Sequence, residues 1–155
     1  MTIIRPMATT DVLVVAEWLP HLPLMQRYSM SAERTSQHLS GALARGDILL
    51  TADALGVQAC GLAWCMPQGM FGRSPYLRLL AVKAGMTSGG IGSALLTVLE
   101  GMLVGQHAWL FLLVTEDNVP AQRFYLRHGY QQVGAISGYL LPAVVECLFT
   151  KRLTH

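Results

Sequence analysis

Three glycines, Gly89, Gly90 and Gly92, follow a short apolar run and open a helical pattern, and that spacing could bind an anion. Glycine lets the backbone approach a ligand with no Cβ in the way, and the first N–H groups of a helix have no intrahelical acceptor. Together with the positive end of the helix dipole, they favour a phosphate or pyrophosphate. Two rival phosphate motifs fail on detail. The stretch Gly90 to Leu95 lacks the third glycine of a dinucleotide loop, and no Gly-Lys-Ser/Thr follows as in a nucleotide P-loop. A glycine turn that is only a turn is the plainer alternative. Carboxylates for proton transfer are scarce nearby, because the neighbouring apolar runs hold Arg78, Leu79, Leu80, Leu112 and Leu113. The acidic candidates are Glu116 and Asp117 just past one run and Glu146 on a later one, and each also reads as a surface or capping residue. His21, His38, His107, His128 and His155 lack metal-ligand spacing and read as surface or helix-end residues, so no metal is expected. Cys60, Cys65 and Cys147 cannot all pair and none sits in a C-x-x-C spacing, which makes them buried, reduced thiols.

The elements that must position these groups follow from periodicity. Thr2 to Arg5, ended by Pro6, reads as a first strand, and Thr9, Thr10 and Asp11 offer an N-cap to a helix over Val12 to Leu19. His21 to Met30 has neither period and reads as a loop or irregular helix. Ser31 and Glu33 open a second helix that stops at Gly46. Ile48 to Ala52 and Val57 to Met66 read as strands joined through a turn over Asp53 to Gly56. Pro67 to Pro75 reads as a surface connection whose Met70 and Phe71 offer a partner contact or lid. Tyr76 to Val82 is a buried strand, and the helix after the glycines turns Ile91, Ala94, Leu95, Val98, Leu99, Met102 and Leu103 inward. Trp109 to Val114 is a strand with the continuous apolar run of a central position. Asn118 caps the next helix, Pro120 sits in its first turn, and Gly129 ends it. Tyr130 to Ile136 and Val144 to Thr150 are the last strands. The order is β α α β β β α β α β β, an α/β (α+β) layer protein forming one domain over residues 1–155.

Composition narrows the partners. At 155 residues a chain buries about 68–70% of its unfolded surface, so a sizeable core is available. The hydrophobic share of 52% against 13% charged points to a large interior, a homodimer interface, or both. A net charge of +2 with no Lys/Arg block speaks against nucleic acid. No apolar run reaches the ~18 residues of a membrane span, and the N-terminus lacks the pattern of a signal peptide, so the expected location is the cytoplasm, away from membranes.

Two segments, LLAVKAGMTSGGIGSALL and NVPAQRFYLRHGY, resemble the acyl-CoA signature and following helix of the GNAT superfamily of N-acetyltransferases. Gly90, Ile91 and Gly92 match that signature, while Thr87 stands where the family has Arg or Gln. Asn118, Ala121, Phe124, Tyr125, Gly129 and Tyr130 match the second pattern, with Tyr130 in place of its final Phe. The resemblance implies a mixed, mostly antiparallel sheet of about six to seven strands flanked by about four helices and splayed between its two central strands. It implies acetyl-CoA as co-substrate, without a metal. The pyrophosphate would lie on Thr87, Ser88, Gly89, Gly90, Ile91, Gly92 and Ser93, and the pantetheine arm on Leu80, Ala81, Val82, Asn118 and Ala121. By the same resemblance the Val82 N–H would polarise the thioester carbonyl and Tyr125 would protonate the leaving thiolate, a fit for a phenol of ordinary pKa ~10. Taken from its helix alone, Tyr125 reads as a core aromatic. Glu116 and Asp117 are base candidates acting through water, Glu146 is another if it faces the cleft, and an amine arriving neutral with water alone as base is the equal alternative; Tyr28 and Arg27 wall the acceptor side. The implied activity is acetyl transfer to a primary amine of a small molecule or peptide in a ternary complex. The alternative is a non-catalytic acyl-CoA-binding sensor or partner subunit.

Overall fold

The computed structural model describes residues 1–154, so the surface reading of His155 lies outside the described residues. Its elements are β1 (Thr2–Pro6), α1 (Asp11–Trp18), a 3-10 turn (Leu19–His21), α2 (Pro23–Arg27), α3 (Ala32–Arg45), β2 (Ile48–Ala54), β3 (Val57–Met70), β4 (Ser74–Val82), α4 (Ile91–Leu103), β5 (Trp109–Thr115), α5 (Val119–Arg127), β6 (Gln131–Ser137) and β7 (Val145–Arg152). The result is an α/β fold with a mixed sheet of strand order β1-β2-β3-β4-β5-β7-β6. β4 and β5 run parallel, with Tyr76 opposite Phe111 and Leu77 opposite Leu112, whereas β1–β2, β2–β3, β5–β7 and β6–β7 are antiparallel. The helix beyond the expected four is the short α2, inside the segment that showed no period. Two compact units interleave in sequence, one of Met1–Cys65 with Leu79–Met102 and one of Met66–Arg78 with Leu103 onward.

In the first unit, α3 starts where Ser31 Oγ accepts the Arg34 N–H and ends where Gly46 takes a left-handed φ of 84°. α1 is positioned differently from expectation. Neither Thr9 nor Thr10 caps it through a side chain; Asp11 instead accepts the Ala8 N–H at 2.7 Å and both terminal nitrogens of Arg5 at 2.7 and 2.9 Å. Arg5 also donates to both oxygens of Asp53 at 2.8 and 3.1 Å, so one guanidinium ties β1 to α1 and β2. Asp53 in turn accepts the N–H of Ala59 at 2.8 Å, and the Trp18 indole donates to the Ala59 carbonyl at 2.9 Å. Ala59 has φ 48°, and the β2–β3 register shifts there, so these two bonds hold a bulge that a non-glycine residue seldom adopts unaided. The core of this unit packs Val15, Leu19, Leu39, Ala42 and Leu62 together with both tryptophans, Trp18 and Trp64.

In the second unit, β3 continues through Pro67 to Met70 and turns at Phe71 and Gly72, with φ of 59° and 64°, into β4. The expected surface connection over Pro67 to Pro75 is therefore a hairpin. Gly69 shows why: a Cβ there would come within 2.8 Å of Met66 Cβ and 3.0 Å of Tyr76 Cβ, so its glycine marks a close approach within strands. β5 alternates burial, with Leu110, Leu112 and Val114 buried, and pairs with β7 from Trp109↔Arg152 to Thr115↔Glu146. Leu112 and Phe149 face each other on the fully buried side.

Candidate functional site

The glycine stretch forms a strand, turn and helix inside the first unit. β4 ends with Ala81 buried and Leu80 and Val82 half-buried, and the chain leaves it where the Lys83 N–H donates to the Cys60 carbonyl at 2.8 Å. A turn closed by Met86 N–H on the Lys83 carbonyl leads to Thr87, Ser88, Gly89 and Gly90, all exposed. Gly90 has φ 73° and open space where a Cβ would stand, and its carbonyl accepts the Ala94 N–H at 3.0 Å as the helix begins. The N–H groups of Ile91, Gly92 and Ser93 therefore precede the first intrahelical donor of α4, the Ala94 N–H, and have no acceptor of their own within the helix.

What fixes that helix start is its seat on β3. A Cβ on Gly61 would lie 2.9 Å from Ile91 Cγ2, 3.0 Å from Leu95 Cδ1 and 3.3 Å from Ala52 Cβ, so only glycine permits the observed approach. The buried stripe of α4 is Ile91, Leu95, Leu96, Leu99 and Leu103. Val98 and Met102, expected inside, are 38% and 46% exposed, and Leu96 takes their place because the inward stripe is centred on the contact with β3.

A second strand, turn and helix lies inside the second unit. After Thr115 the chain turns with Asn118 N–H donating to the Thr115 carbonyl at 3.0 Å, and Asn118 Oδ1 caps α5 by accepting the Ala121 N–H at 3.2 Å. Gln122 Nε2 reaches back to the carbonyls of Thr115 and Glu116 at 3.2 and 2.7 Å, which fastens the helix to the strand end. α5 closes as expected: Gly129 adopts φ 88° and the Tyr130 N–H returns to the Tyr125 carbonyl at 3.0 Å. These contacts hold Tyr125 in a fixed place, 8% exposed, edge-on to Phe124 at 5.2 Å and to Tyr130 at 5.5 Å between ring centroids. Burial raises its pKa above the ordinary phenol value, so the hydroxyl keeps its proton.

The remaining candidates separate clearly. Glu116 is exposed, with its backbone N–H on the Val145 carbonyl at 2.9 Å, as expected of a residue just past the strand. Glu146 is neither a surface nor a capping residue: it is 3% exposed near the start of β7, paired with Thr115 of β5 on one side and Ile136 of β6 on the other. Its strand has β5 on one side and the edge strand β6 on the other, and sequence showed only that it fell in a strand. In the first unit, Arg27 ends α2 exposed and Tyr28, half-buried, closes it with its N–H on the Met25 carbonyl. All three cysteines are free and buried, and burial pushes the Cys65 thiol up to about 12, which keeps it an unreactive thiol. The Cys147 thiol is raised by burial first and then by Glu116 and Glu146, which places both carboxylates within electrostatic reach of it.

Comparison with known proteins identifies the family and the fold. The model of the Acetyltransferase (GNAT) family matches residues 18–130. An acetyltransferase of the GNAT family from Bacillus cereus superposes with a TM-score of 0.79 at 15% identity, over 100% of this chain and 99% of that one. A ribosomal-protein-alanine N-acetyltransferase from Brucella melitensis gives 0.79 at 20% identity, over 97% and 99%. Ard1 from Thermoplasma volcanium gives 0.78 at 17% identity, over 99% of each chain. At these identities the likeness is one of fold. No curated protein matches the sequence.

Proposed function

The chain belongs to the GNAT acetyltransferase family, and from that premise we propose that it transfers an acetyl group from acetyl-CoA to a primary amine of a small molecule or peptide, by direct attack in a ternary complex. The observation that carries the reading is Tyr125, a buried phenol that keeps its proton and is held by the Asn118-capped helix where the family pattern requires its acid. The residues also fit an acyl-CoA. Gly90 is left-handed with nothing where a Cβ would be, and the exposed start of α4 offers unpaired N–H groups to a pyrophosphate.

Acetyl-CoA supplies the thioester. The backbone of Thr87, Ser88, Gly89, Gly90, Ile91, Gly92 and Ser93 holds the pyrophosphate, and Leu80, Ala81, Val82, Asn118 and Ala121 hold the pantetheine arm. The Val82 N–H steadies developing negative charge on the carbonyl oxygen. Tyr125 gives its proton to the departing sulfur, and Glu116, in water, receives the proton that the amine releases. Tyr28 and Arg27 wall the acceptor. The location is the cytoplasm, where the three buried thiols stay reduced.

Calorimetry with acetyl-CoA, followed by a thiol-release assay across a panel of primary amines, tests the reading. Binding together with steady CoA release establishes it. Binding without release for every amine leaves an acyl-CoA-binding module, and absence of binding removes the cofactor assignment.

A further inference from the structure

The sheet has two edge strands, β1 and β6, and they are guarded unequally. An edge strand presents unpaired N–H and C=O groups, which shortness, proline or charged side chains ordinarily protect from other chains. β1 has five residues and carries both Arg5 and Pro6. β6 has no charged residue and no proline, and every residue in it but Gly134 is exposed. The uncharged stretch runs well past the strand. From Tyr130 to Val145 there is no Asp, Glu, Lys, Arg or His, yet eleven of these residues are exposed. Among them are Val133, Ile136, Tyr139 and Leu140, at 56%, 40%, 59% and 54% exposure. The turn that carries the last two is closed by the Gly138 N–H on the Val144 carbonyl at 2.9 Å and the Val144 N–H on the Leu141 carbonyl at 3.1 Å, so a fixed backbone holds them in water.

The hydrogen bonds around β7 show which backbone groups of β6 are left over. In an antiparallel ladder every second residue bonds to one neighbouring strand, and the residues between them face the other way. The Glu116 N–H bonds to the Val145 carbonyl, which assigns Val145, Cys147 and Phe149 to β5. Glu146 and Leu148 therefore bond to their β6 partners, Ile136 and Gly134. The Gly138 bond to Val144 has the same phase. Ala135 and Ser137 thus turn their N–H and C=O groups to the open edge, and Val133, at the register shift, has no Cα partner on β7.

We propose that β6 pairs antiparallel with β6 of a second copy of this chain, about a two-fold axis at Ala135. In an isologous contact a residue at the axis meets itself, so a charge there would face its own sign. The charge-free run meets that condition at every position. With Ala135 on the axis, the two Ala135 backbones exchange N–H···O=C bonds and Val133 faces Ser137. Ile136 faces Gly134, whose missing side chain leaves room for it. Eleven exposed residues are about half of the roughly 20–30 a side in a standard interface. The dimer is therefore reversible, with a Kd of about 1–100 µM. None of the paired residues has a role in acetyl transfer, so the pairing stands apart from that reading.

Sedimentation velocity over about 1–500 µM protein tests the pairing. Wild type should pass from monomer to dimer and stop there, because a two-fold contact closes on itself. Ala135→Lys sets two lysines against each other at the axis and should weaken association about tenfold or more, and Ala135→Glu should do the same. Mixed in equal amounts, the two variants should form a mixed dimer within about threefold of wild-type affinity, since each lysine then meets a glutamate. Leu13→Lys, at a 71% exposed position on α1, is the control and should associate like wild type. Circular dichroism checks that each variant folds, and Val133→Lys, at a more exposed position than Ile136, replaces Ala135→Lys if that variant does not. The pairing is wrong if wild type stays monomeric throughout or grows past a dimer. It is equally wrong if a folded lysine variant of β6 associates like wild type, or if the oppositely charged variants stay apart when mixed.

Discussion

Gly61→Ala tests how packing in the sheet sets the geometry of the glycine turn. The added methyl would meet Ile91 Cγ2 at 2.9 Å and Leu95 Cδ1 at 3.0 Å, and both side chains are fully enclosed, at 1% and 0% exposure. Ile91 is β-branched and is the first residue of α4, so it cannot swing aside, and the helix start must move instead. Overpacking of this kind costs about 1–3 kcal/mol. The lower entropy of the unfolded alanine chain offsets about 0.4–1 kcal/mol of that, which leaves a net loss of about 0.5–2.5 kcal/mol. For a chain of this size the melting temperature should fall by about 1–10 °C. Because α4 begins at the turn that would hold the pyrophosphate, acetyl-CoA affinity should fall about fivefold, close to 1 kcal/mol. Gly101→Ala is the control. It lies on the exposed side of α4 with nothing within 4 Å, and it should stabilise by about 0.5–1 kcal/mol without touching affinity. Differential scanning calorimetry and isothermal titration read both quantities. If Gly61→Ala melted at or above the wild-type temperature and bound acetyl-CoA equally well, the claim that this contact positions the helix start would be wrong.

Tyr125→Phe should lower kcat about a hundredfold or more while acetyl-CoA binding and circular dichroism stay as in wild type. Because burial raises the Tyr125 pKa, its donor form should persist, and the pH–rate profile should show no loss from this group below pH ~10. Arg5→Ala should cost about 2 kcal/mol in urea denaturation, since it strands Asp11 and Asp53, whose side chains are only 8% and 25% exposed. Arg5 holds the pKa values of both aspartates below the ordinary carboxylate value, so their contribution to stability is present above pH ~4 and lost as pH falls below it. The wild-type urea midpoint should therefore drop more steeply than that of Arg5→Ala between pH 5 and pH 2, on the order of one kcal/mol or more in stability. Asn118→Ala should cost about 1 kcal/mol by loss of the α5 cap, and a melting temperature equal to wild type would show that the cap contributes nothing.

Where sequence and fold agreed, the deciding interaction was local. Ser31, Gly46, Asn118 and Gly129 each mark a helix end through bonds to residues within five positions, so their identity alone located α3 and α5. The expectations that failed turned on partners distant in the chain. Asp11 left the capping role because Arg5 and Ala8 claim its carboxylate, and Arg5 is bound in turn by Asp53, 48 residues away. Pro67 to Pro75 has the composition of a loop, but its prolines and Gly69 serve a pair of strands that lie too close for side chains at that point. Val98 and Met102 satisfied helical spacing as well as Leu96 did, and only the position of Gly61 on β3 decided which stripe faced inward.

Glu146 carries the same lesson into chemistry. Sequence offered no carboxylate on the strand before the glycine turn or on the next one, which left the base and acceptor questions to exposed residues such as Glu116. The register of β7 against β5 alters that position, because it sets a buried carboxylate beside Thr115, on the same face as Leu113 and Phe111. A buried hydroxyl without a partner costs stability, and Thr115 Oγ1 has none among the described residues. Thr115→Val removes that hydroxyl at nearly constant volume and should therefore yield a protein at least as stable as wild type by thermal melting. A Thr115→Val variant that melts well below wild type would mean that the hydroxyl is there for the fold.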